Sequence, residues 1–532
     1  MKKQTVVAVI GIITALGLLL GFGLWGMVLG ERPAFALAGQ RTQPLATKFI
    51  PKQAPLVASM LVNPDRLALA TRLATPPGER RQLKQEWQQW QALIKQNWLI
   101  DYDRFIRPWL GNELTLAVTT PDLDRDQSNG FQPGYLLAMS MGEQNLAQRY
   151  LEKFWQNLAS QGANLLFEQH EGIPLITTET TPSLSGAVLG NYALFANDVQ
   201  VIRNAINDLQ VSDLSLANFP RYRATIDRLA QKRIGLAYVN LGELGTWGKE
   251  AGFLGNALGE LPNASLGVGF SIKGNELQGE TLLVADRPWL ETVNSTSKPN
   301  PLVELLPPHA TVFVGHDLQQ TWAQLRSALT PYPGLQKLAQ NSLQKLADAI
   351  GFDLETDILS WVRGDYALGI LPGQEFAWLM LAENKQEANI QPYLDRLDRQ
   401  AQERLTVGKI KVNDQELTVW TNLQASDSRI VKGTVQAVHG QTDRVVGFAS
   451  SVPALISALH PNRPNQAFPP QDFAYFHRSV ALPMLPELLQ ETMPGIGNLV
   501  QPLLPHVQSA TIARLPEGNN LILRGQISLA LQ

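Results

Sequence analysis

The chain has 532 residues, of which 44% are hydrophobic and 17% charged, with a formal net charge of -3 and no cysteine. This length is too great for one hydrophobic core and the composition is that of a folded chain, so two or three domains are expected. The charge provides no bulk basic field for nucleic acid, and the lack of cysteine excludes disulfides, thiolate nucleophiles and cysteine-ligated metal sites.

The first predicted element is an apolar N-terminal segment. Lys2 and Lys3 precede an uncharged stretch that ends at Gly30. As a helix this stretch would be about 39 Å long, enough to cross a bilayer, so residues 1–30 are predicted to be a membrane anchor. With the two lysines on the cytoplasmic side, the body would lie on the opposite side. Ala34-Phe35-Ala36 leaves a cleaved signal peptide open as the alternative.

Two glycine pairs in the anchor fit the G-x-x-x-G spacing: Gly17 with Gly21, and Gly26 with Gly30. This spacing lets two membrane helices approach closely. Glycine is also common in membrane helices generally, and this is the preferred explanation of the spacing. A dimer through the anchor is the alternative. The following residues, 31–48, show no apolar period and are predicted to be a linker.

The body repeats a series of landmarks at offsets near 250 residues. Such self-similarity indicates an internal duplication, so we expect two similar lobes at 49–286 and 301–532, joined by a proline-rich linker at 287–300. The matched pairs are Ile50-Pro51 with Leu306-Pro307, Asp101 and Asp103 with Asp353 and Glu355, Trp109 with Trp361, Tyr150 with Tyr393, Phe195-Ala196 with Phe448-Ala449, Ala237-Tyr238 with Ala474-Tyr475, and Gly279 with Gly525.

Tryptophans mark the first predicted helix of the body. Trp87, Trp90 and Trp98 recur at helical spacing between Glu79 and Trp98, and so share one face of an amphipathic helix. Such a face usually packs into the core, with the wall of a ligand site as the alternative.

The later patterns predict many adjacent strands with few helices between them. Adjacent strands favour antiparallel sheets with helices packed on them, so the predicted fold class is α+β. In the first copy, strands are expected at 56–62, 113–119, 134–141, 234–240, 264–272 and 277–284, with four short ones in 164–195 and helices at 144–158 and 199–209.

A search for catalytic motifs finds none. No two of the seven histidines are three or four residues apart, and there is no nucleophile elbow or phosphate-binding loop. Asp122, Asp124 and Asp126 resemble the start of a calcium loop. However, Gln127 stands where the turn glycine belongs and Pro133 where the bidentate glutamate belongs. These acids are therefore a weak calcium candidate, and no metal or other cofactor is predicted.

Four acidic residues recur at equivalent places in the two copies. Asp101 and Asp103 come just before a predicted helix that carries Trp109 in the first copy, and Asp353 with Glu355 comes just before the equivalent predicted helix with Trp361 in the second. Carboxylates at a helix start cap free N–H groups and favour the helix dipole. Paired carboxylates can also perform acid–base chemistry, which leaves a hydrolase as an alternative function.

Taken together, the anchor, the two acid–acid–Trp landmarks and the Phe-Ala turns at Phe195-Ala196 and Phe448-Ala449 resemble a cyanobacterial family of membrane-anchored proteins of unknown function, of the DUF3352 type. The resemblance implies a body in the periplasm or thylakoid lumen and supplies no catalytic residues.

The leading functional hypothesis is a non-enzymatic, membrane-tethered binding or scaffold protein with unknown protein partners. A carrier of an apolar ligand, such as a lipid or pigment bound along the tryptophan face, is the first alternative, and a hydrolase the second.

Overall fold

The computed structural model describes residues 43–529 with gaps. The gaps are 67–80, most of 82–97, 127–131, 181–182, 230–231, 252–263, 274–275, 286–299, 308–309, 316, most of 331–360, 363, 372–376, 386–389, 426–430, 461–471, 478–506 and 518–519. The predicted anchor, residues 1–30, lies outside the described residues. Within them, no helix is both long and apolar enough to cross a membrane.

Contacts divide the chain into two units. In unit 1 an antiparallel sheet runs in the order β4–β5–β6–β7–β3–β2–β1–β8–β9–β10–β20. Its strands are β1 (Leu56–Met60), β2 (Leu110–Thr120), β3 (Gly134–Met141), β4 (Leu165–His170), β5 (Ile173–Thr178), β6 (Ser185–Leu189), β7 (Tyr192–Ala196), β8 (Gly235–Asn240), β9 (Ala264–Lys273), β10 (Glu276–Ala285) and the C-terminal β20 (Asn520–Leu529).

Helices cover both faces of this sheet. On one face, α1 buries residues at helical spacing, including Leu151, Phe154 and Leu158, against the side chains of β2 and β3. On the other face, α2 begins after Asp198, whose carboxylate accepts a hydrogen bond from the Gln200 N–H. Among the described residues, the helices of unit 1 include α1 (Gln144–Ser160), α2 (Val199–Gln210), α3 (Pro220–Ile226) and α4 (Leu241–Ala251), with short helical turns at Leu45–Phe49, Tyr102–Ile106, Ser212–Leu214 and Leu216–Asn218.

Unit 2 pairs its strands in the matching order, β14–β15–β16–β17–β13–β12–β11–β18–β19. The strands are β11 (Thr311–Gly315), β12 (Tyr366–Leu371), β13 (Ala377–Glu383), β14 (Thr406–Val412), β15 (Gln415–Ala425), β16 (Val431–Gln441), β17 (Val445–Ala449), β18 (Asp472–His477) and β19 (Val507–Glu517). The helices in the described part of unit 2 include α5 (Leu318–Leu329), α6 (Gln391–Gln402) and α7 (Val452–Leu459), with a short helical turn at Pro301–Leu305.

The predicted α+β class with antiparallel sheets is confirmed. One difference from the sequence-based lobes concerns the C-terminal strand. The sequence assigns β20 to the second lobe, whereas contacts group it with unit 1, because β20 pairs along its length with β10, from Leu277 with Leu529 to Ala285 with Leu521.

Candidate functional site

The predicted acids Asp101 and Asp103 lie at a helix start. Asp101 accepts a hydrogen bond from the Arg104 N–H at 3.3 Å and pairs with the Lys95 ammonium at 3.2 Å. Asp103 pairs with Arg107 at 3.4 Å. Both carboxylates therefore have a local structural role. The helix that Asp101 begins ends at Ile106, so Trp109 lies beyond it and not within it as the sequence suggests.

Their second-copy counterparts, Asp353 and Glu355, lie outside the described residues. The tryptophan face is described only at Trp98, which is buried in the main core cluster of unit 1 beside Ile100 and Trp109. Trp87 and Trp90 lie outside the described residues. The structure thus places Trp98 in the core.

The three aspartates of the weak calcium candidate bond to their own loop. The Gln132 N–H donates to Asp122 at 3.1 Å, and the Gln132 side-chain amide donates to Asp124 at 3.1 Å. The Asp126 N–H also donates to Asp124, at 3.0 Å. Burial, with smaller contributions from the two neighbouring aspartates, raises the pKa of Asp122. Within the described part of the chain, no group of three acidic or histidine side chains is arranged to hold a metal ion.

A buried glutamate fixes the short helical turn Leu45–Phe49 to the sheet of unit 1. Glu113, on β2, is 1% exposed. Its carboxylate accepts hydrogen bonds from the Leu45 N–H at 3.1 Å, the Ala46 N–H at 2.8 Å and the Tyr192 hydroxyl at 2.5 Å. Thr115 donates a fourth, at 3.2 Å. A carboxylate can be buried at low cost when this many donors replace water.

Unit 2 contains a buried polar cluster of different chemistry. A single oxygen of Asp398, on α6, lies 2.8 Å from the His439 Nε2 and accepts a hydrogen bond from the Trp420 indole N–H at 2.7 Å. The His439 ring also packs against Phe448, with centroids 5.3 Å apart. Burial acts to raise the pKa of Asp398, but hydrogen bonding and charge from His439 outweigh it and lower that pKa. The cluster orders the junction between α6 and the sheet.

The strongest candidate for an interaction site is one face of the β14–β16 meander, which we call the apolar meander face. In the described part of unit 2, the large hydrophobic side chains left exposed all lie on these strands, and Val431 is 63% exposed. They are Ile410, Leu423, Val431 and Val435.

Strand register puts all four on the same side of the sheet. Ile410 pairs with Leu417 across β14 and β15, and β15 presents alternate residues from Leu417 to Leu423 on that side. Leu423 pairs with Gly433, which alternation along β16 places on the same face as Val431 and Val435. Because Leu417 is fully buried, the apolar meander face continues outward from the core.

Local geometry gives the meander its form. Asn413 and Asp414 join β14 to β15 with positive φ values of 49° and 62°, as a two-residue type I′ hairpin turn requires. A register shift at Trp420 and Thr421 forms a bulge between β15 and β16, so the outer part of the hairpin is displaced relative to the inner part.

The corresponding meander of unit 1, β4–β6, also exposes hydrophobic side chains. Phe167 on β4 is 73% exposed, and Leu166 beside it is exposed as well. The sequence analysis predicted neither exposed surface. Alternating apolar residues indicate a strand with one buried face, and they do so whether or not another layer of the fold covers that face. The alternation of Val431, Gly433 and Val435 was the available signal, but it gives no information about what covers that face.

Comparison with known proteins places the chain in a family. A family described as "Protein of unknown function (DUF3352)" matches residues 9–531, so the chain belongs to it, which confirms the resemblance seen in the sequence. No curated protein matches. Two solved structures show partial similarity at 12% identity: "Structure of crystal form IV of TP0453" (46% of this chain, 80% of that chain, TM-score 0.22) and "Structure of crystal form III of TP0453" (48%, 82% and 0.24).

Proposed function

We propose that this member of the DUF3352 family is a membrane-tethered, non-enzymatic binding or scaffold protein that presents the apolar meander face to a partner protein. The observation that carries the proposal is the face itself. Leu423, Val431 and Val435 are exposed at adjoining register positions on one side of the sheet, and Ile410 is exposed on the same side, opposite buried Leu417. Contiguous exposed apolar surface is typical of protein interaction sites.

The tether is proposed from the sequence. Lys2 and Lys3 followed by an uncharged stretch to Gly30 favour an anchor with a cytoplasmic N-terminus and the body in the periplasm or thylakoid lumen. The matching order of strand pairing in the two units supports an internal duplication. A duplicated body carries related meanders at two places, which suits a protein that assembles partners.

The two alternatives gain less from the described residues. A lipid or pigment carrier built on the tryptophan face is disfavoured at Trp98, whose side chain is packed in the core. A hydrolase built on Asp101 and Asp103 is disfavoured because each carboxylate already has a basic partner within 3.4 Å. At the residues that the structure describes, neither alternative has a surface comparable to the apolar meander face.

The test compares three forms of the tagged full-length protein, purified from native membranes in mild detergent with proteins and lipids both identified. One is the wild type. The second carries Leu423→Ser and Val431→Ser on the apolar meander face. The control carries Gln424→Ser and Lys432→Ser, which alter two paired, exposed residues on the opposite side of the same hairpin.

We expect a stoichiometric partner with the wild type and the control, and its loss with the double apolar variant. A partner that binds all three forms equally would contradict the role of the face. A sample that holds no partner protein but a defined lipid or pigment would replace the scaffold proposal with the carrier. Hydrogen exchange of the β17 peptide checks that each variant keeps the unit 2 core.

A further inference from the structure

A second apolar surface lies on unit 1, where the described chain begins. Leu45, Leu209, Val211 and Leu214 are all exposed, and we call them the entry patch. Leu45 lies in the short helical turn Leu45–Phe49, and the other three lie at the C-terminal end of α2 and in the turn after it. Val211 is the most exposed of the four, at 52%.

Main-chain hydrogen bonds hold the two segments of the entry patch together. The Lys52 N–H donates to the Leu214 carbonyl at 2.9 Å, and the Leu216 N–H donates to the Ile50 carbonyl at 2.7 Å. The helical turn Leu45–Phe49 also packs on α2. The patch is therefore a fixed part of unit 1.

Glu113 strengthens this attachment. Its carboxylate accepts hydrogen bonds from the first two N–H groups of the turn, those of Leu45 and Ala46. The Glu113 side chain is buried, and these bonds anchor the turn to the central strand β2. Any orientation imposed on the entry patch is thus transmitted to the sheet.

The chain segments that form and follow the entry patch are rich in basic residues. Residues 43–53 and 209–232 contain six basic residues, all at least partly accessible, and two acidic ones, in a chain whose formal net charge is -3. Arg223 is linked to the patch through hydrogen bonds: it donates to Asn218, which donates to the Ser212 carbonyl beside Val211. The basic residues are Lys48, Lys52, Arg221, Arg223, Arg228 and Lys232.

We propose that the entry patch docks on the surface of a lipid bilayer that contains anionic lipid, and so fixes the orientation of unit 1 on the membrane. Exposed apolar side chains with basic neighbours are the chemistry that binds such an interface. The apolar meander face of unit 2 has no comparable basic neighbours on β14, since Lys409 and Lys411 alternate with Ile410 and so lie on the opposite side of the sheet, where they pair with Glu416 and Asp414.

The position of the patch also favours a bilayer as its occupant. The sequence between the predicted anchor and Gln43 is residues 31–42, which span at most about 43 Å even when fully extended. The tether would hold the patch at a high effective concentration near the lipid surface, so weak contacts suffice for docking. This step rests on the proposed anchor, whereas the apolar and basic character of the patch does not.

The absence of cysteine allows a direct test in the full-length protein reconstituted into vesicles. An environment-sensitive fluorophore is placed at Val211→Cys and, as a matched control, at Val431→Cys, an exposed valine of unit 2. Quenching by nitroxide-labelled lipid is measured in phosphatidylcholine vesicles with and without phosphatidylglycerol. Resistance of the protein to carbonate extraction is measured in the same samples.

We expect quenching at position 211 that grows with phosphatidylglycerol and exceeds that at position 431. Equal quenching at the two positions, or none at 211 in a carbonate-resistant sample, would overturn the docking proposal while leaving the anchor intact. Extraction of the protein by carbonate would instead remove the anchor, and with it the tethered function. A patch that stays unquenched but crosslinks to a protein in native membranes would make the occupant a protein.

The contribution of charge is tested with Lys52→Gln and Lys232→Gln combined. Each basic residue near an anionic surface contributes about fivefold to the docked population, so the pair should lower the ratio of docked to undocked protein by about 25-fold. Lys409→Gln with Lys411→Gln on unit 2 is the matched control and should leave quenching at 211 unchanged. Equal loss in both variants would contradict the proposed site.

Discussion

Replacing Asp208 by asparagine should stabilise unit 1 at alkaline pH while leaving its stability in acid nearly unchanged. Asp208 lies on α2 and is only 6% exposed, and its Oδ2 has no hydrogen-bond partner within the described residues. Burial raises the pKa of this carboxyl from 3.8 to about 7. A protonated carboxyl and an asparagine amide have similar shape and polarity, so the substitution mimics the form that the fold prefers.

The sign follows from proton linkage. Below about pH 4 the group is protonated in both the folded and the unfolded state and contributes no pH dependence. Between about pH 4 and pH 7 the folded protein retains a proton that the unfolded chain has released, so the free energy of unfolding falls as pH rises. A pKa difference of about three units amounts to about 4 kcal/mol at most, and this cost stays constant above pH 7.

The assay is the difference in unfolding free energy between Asp208→Asn and the wild type at several pH values. Because the chain has two units, hydrogen exchange of peptides from α2 and β7 is preferable to a global melt, which would mix two transitions. Taking the difference removes every titration that the two proteins share. Asp213→Asn, an exposed aspartate in the adjacent turn, controls for removing one negative charge.

The variant should gain stability progressively from about pH 4 to pH 7, with a plateau of up to about 4 kcal/mol in its favour. A difference that is flat across this range would refute the reasoning, because the carboxyl would then titrate alike in the folded and unfolded states. A gain of equal size and pH profile in Asp213→Asn would also refute it, since the effect would then come from net charge and not from burial.

Three further substitutions test other buried groups. Glu113→Gln should lower the unfolding free energy of unit 1 by about 3 kcal/mol in urea titrations followed by hydrogen exchange, because four donors lose a charged acceptor. Gly186→Ala places a Cβ 2.6 Å from Trp155 Cζ2 and should cost about 1–3 kcal/mol, which Trp155→Leu should partly relieve. Asp398→Asn should lower the unfolding free energy of unit 2 above about pH 4. Because the folded-state pKa of Asp398 is lowered, the stability difference between variant and wild type should shrink as pH falls through that pKa. A stability difference that does not change with pH would contradict this prediction.

Periodicity was sufficient for the strands and the longer helices. The predicted helix 144–158 is α1, Gln144–Ser160, and the predicted strands 264–272 and 277–284 are β9 and β10, which pair from Lys273 with Glu276 onward. In unit 1, the helices α3 and α4 escaped prediction for physical reasons. α3 has seven residues, too few to show a period. α4 contains three glycines, which lower helix propensity and conceal its pattern.

The candidate surfaces could not be predicted in the same way. Leu417 and Leu423 lie on the same face of β15 and have the same chemistry, yet the first is fully buried and the second exposed. What separates them is the covering layer, which the alternation within a strand does not encode. The entry patch depends on a non-local contact as well, since Lys52 and Leu214 meet only in the folded unit.

Equivalent positions in the two units show how one topology acquires different chemistry. In unit 1, Gly186 pairs with Phe195 across β6 and β7, and Trp155 of α1 fills the space above the glycine. In unit 2, His439 pairs with Phe448 across β16 and β17, and Asp398 of α6 bonds to the histidine.

Where unit 1 has a large apolar side chain over glycine, unit 2 thus has two polar side chains that hydrogen-bond to each other. A buried hydrogen-bonded pair requires a fixed geometry, whereas an aromatic ring over glycine requires only volume. The meander of unit 2 is therefore held to α6 by directional bonds at its inner end, and its outer end, with the apolar meander face, extends beyond that attachment. If the two units descend from one, this exchange left the scaffold of strands intact while it gave the second meander a rigid base from which to present an interaction surface.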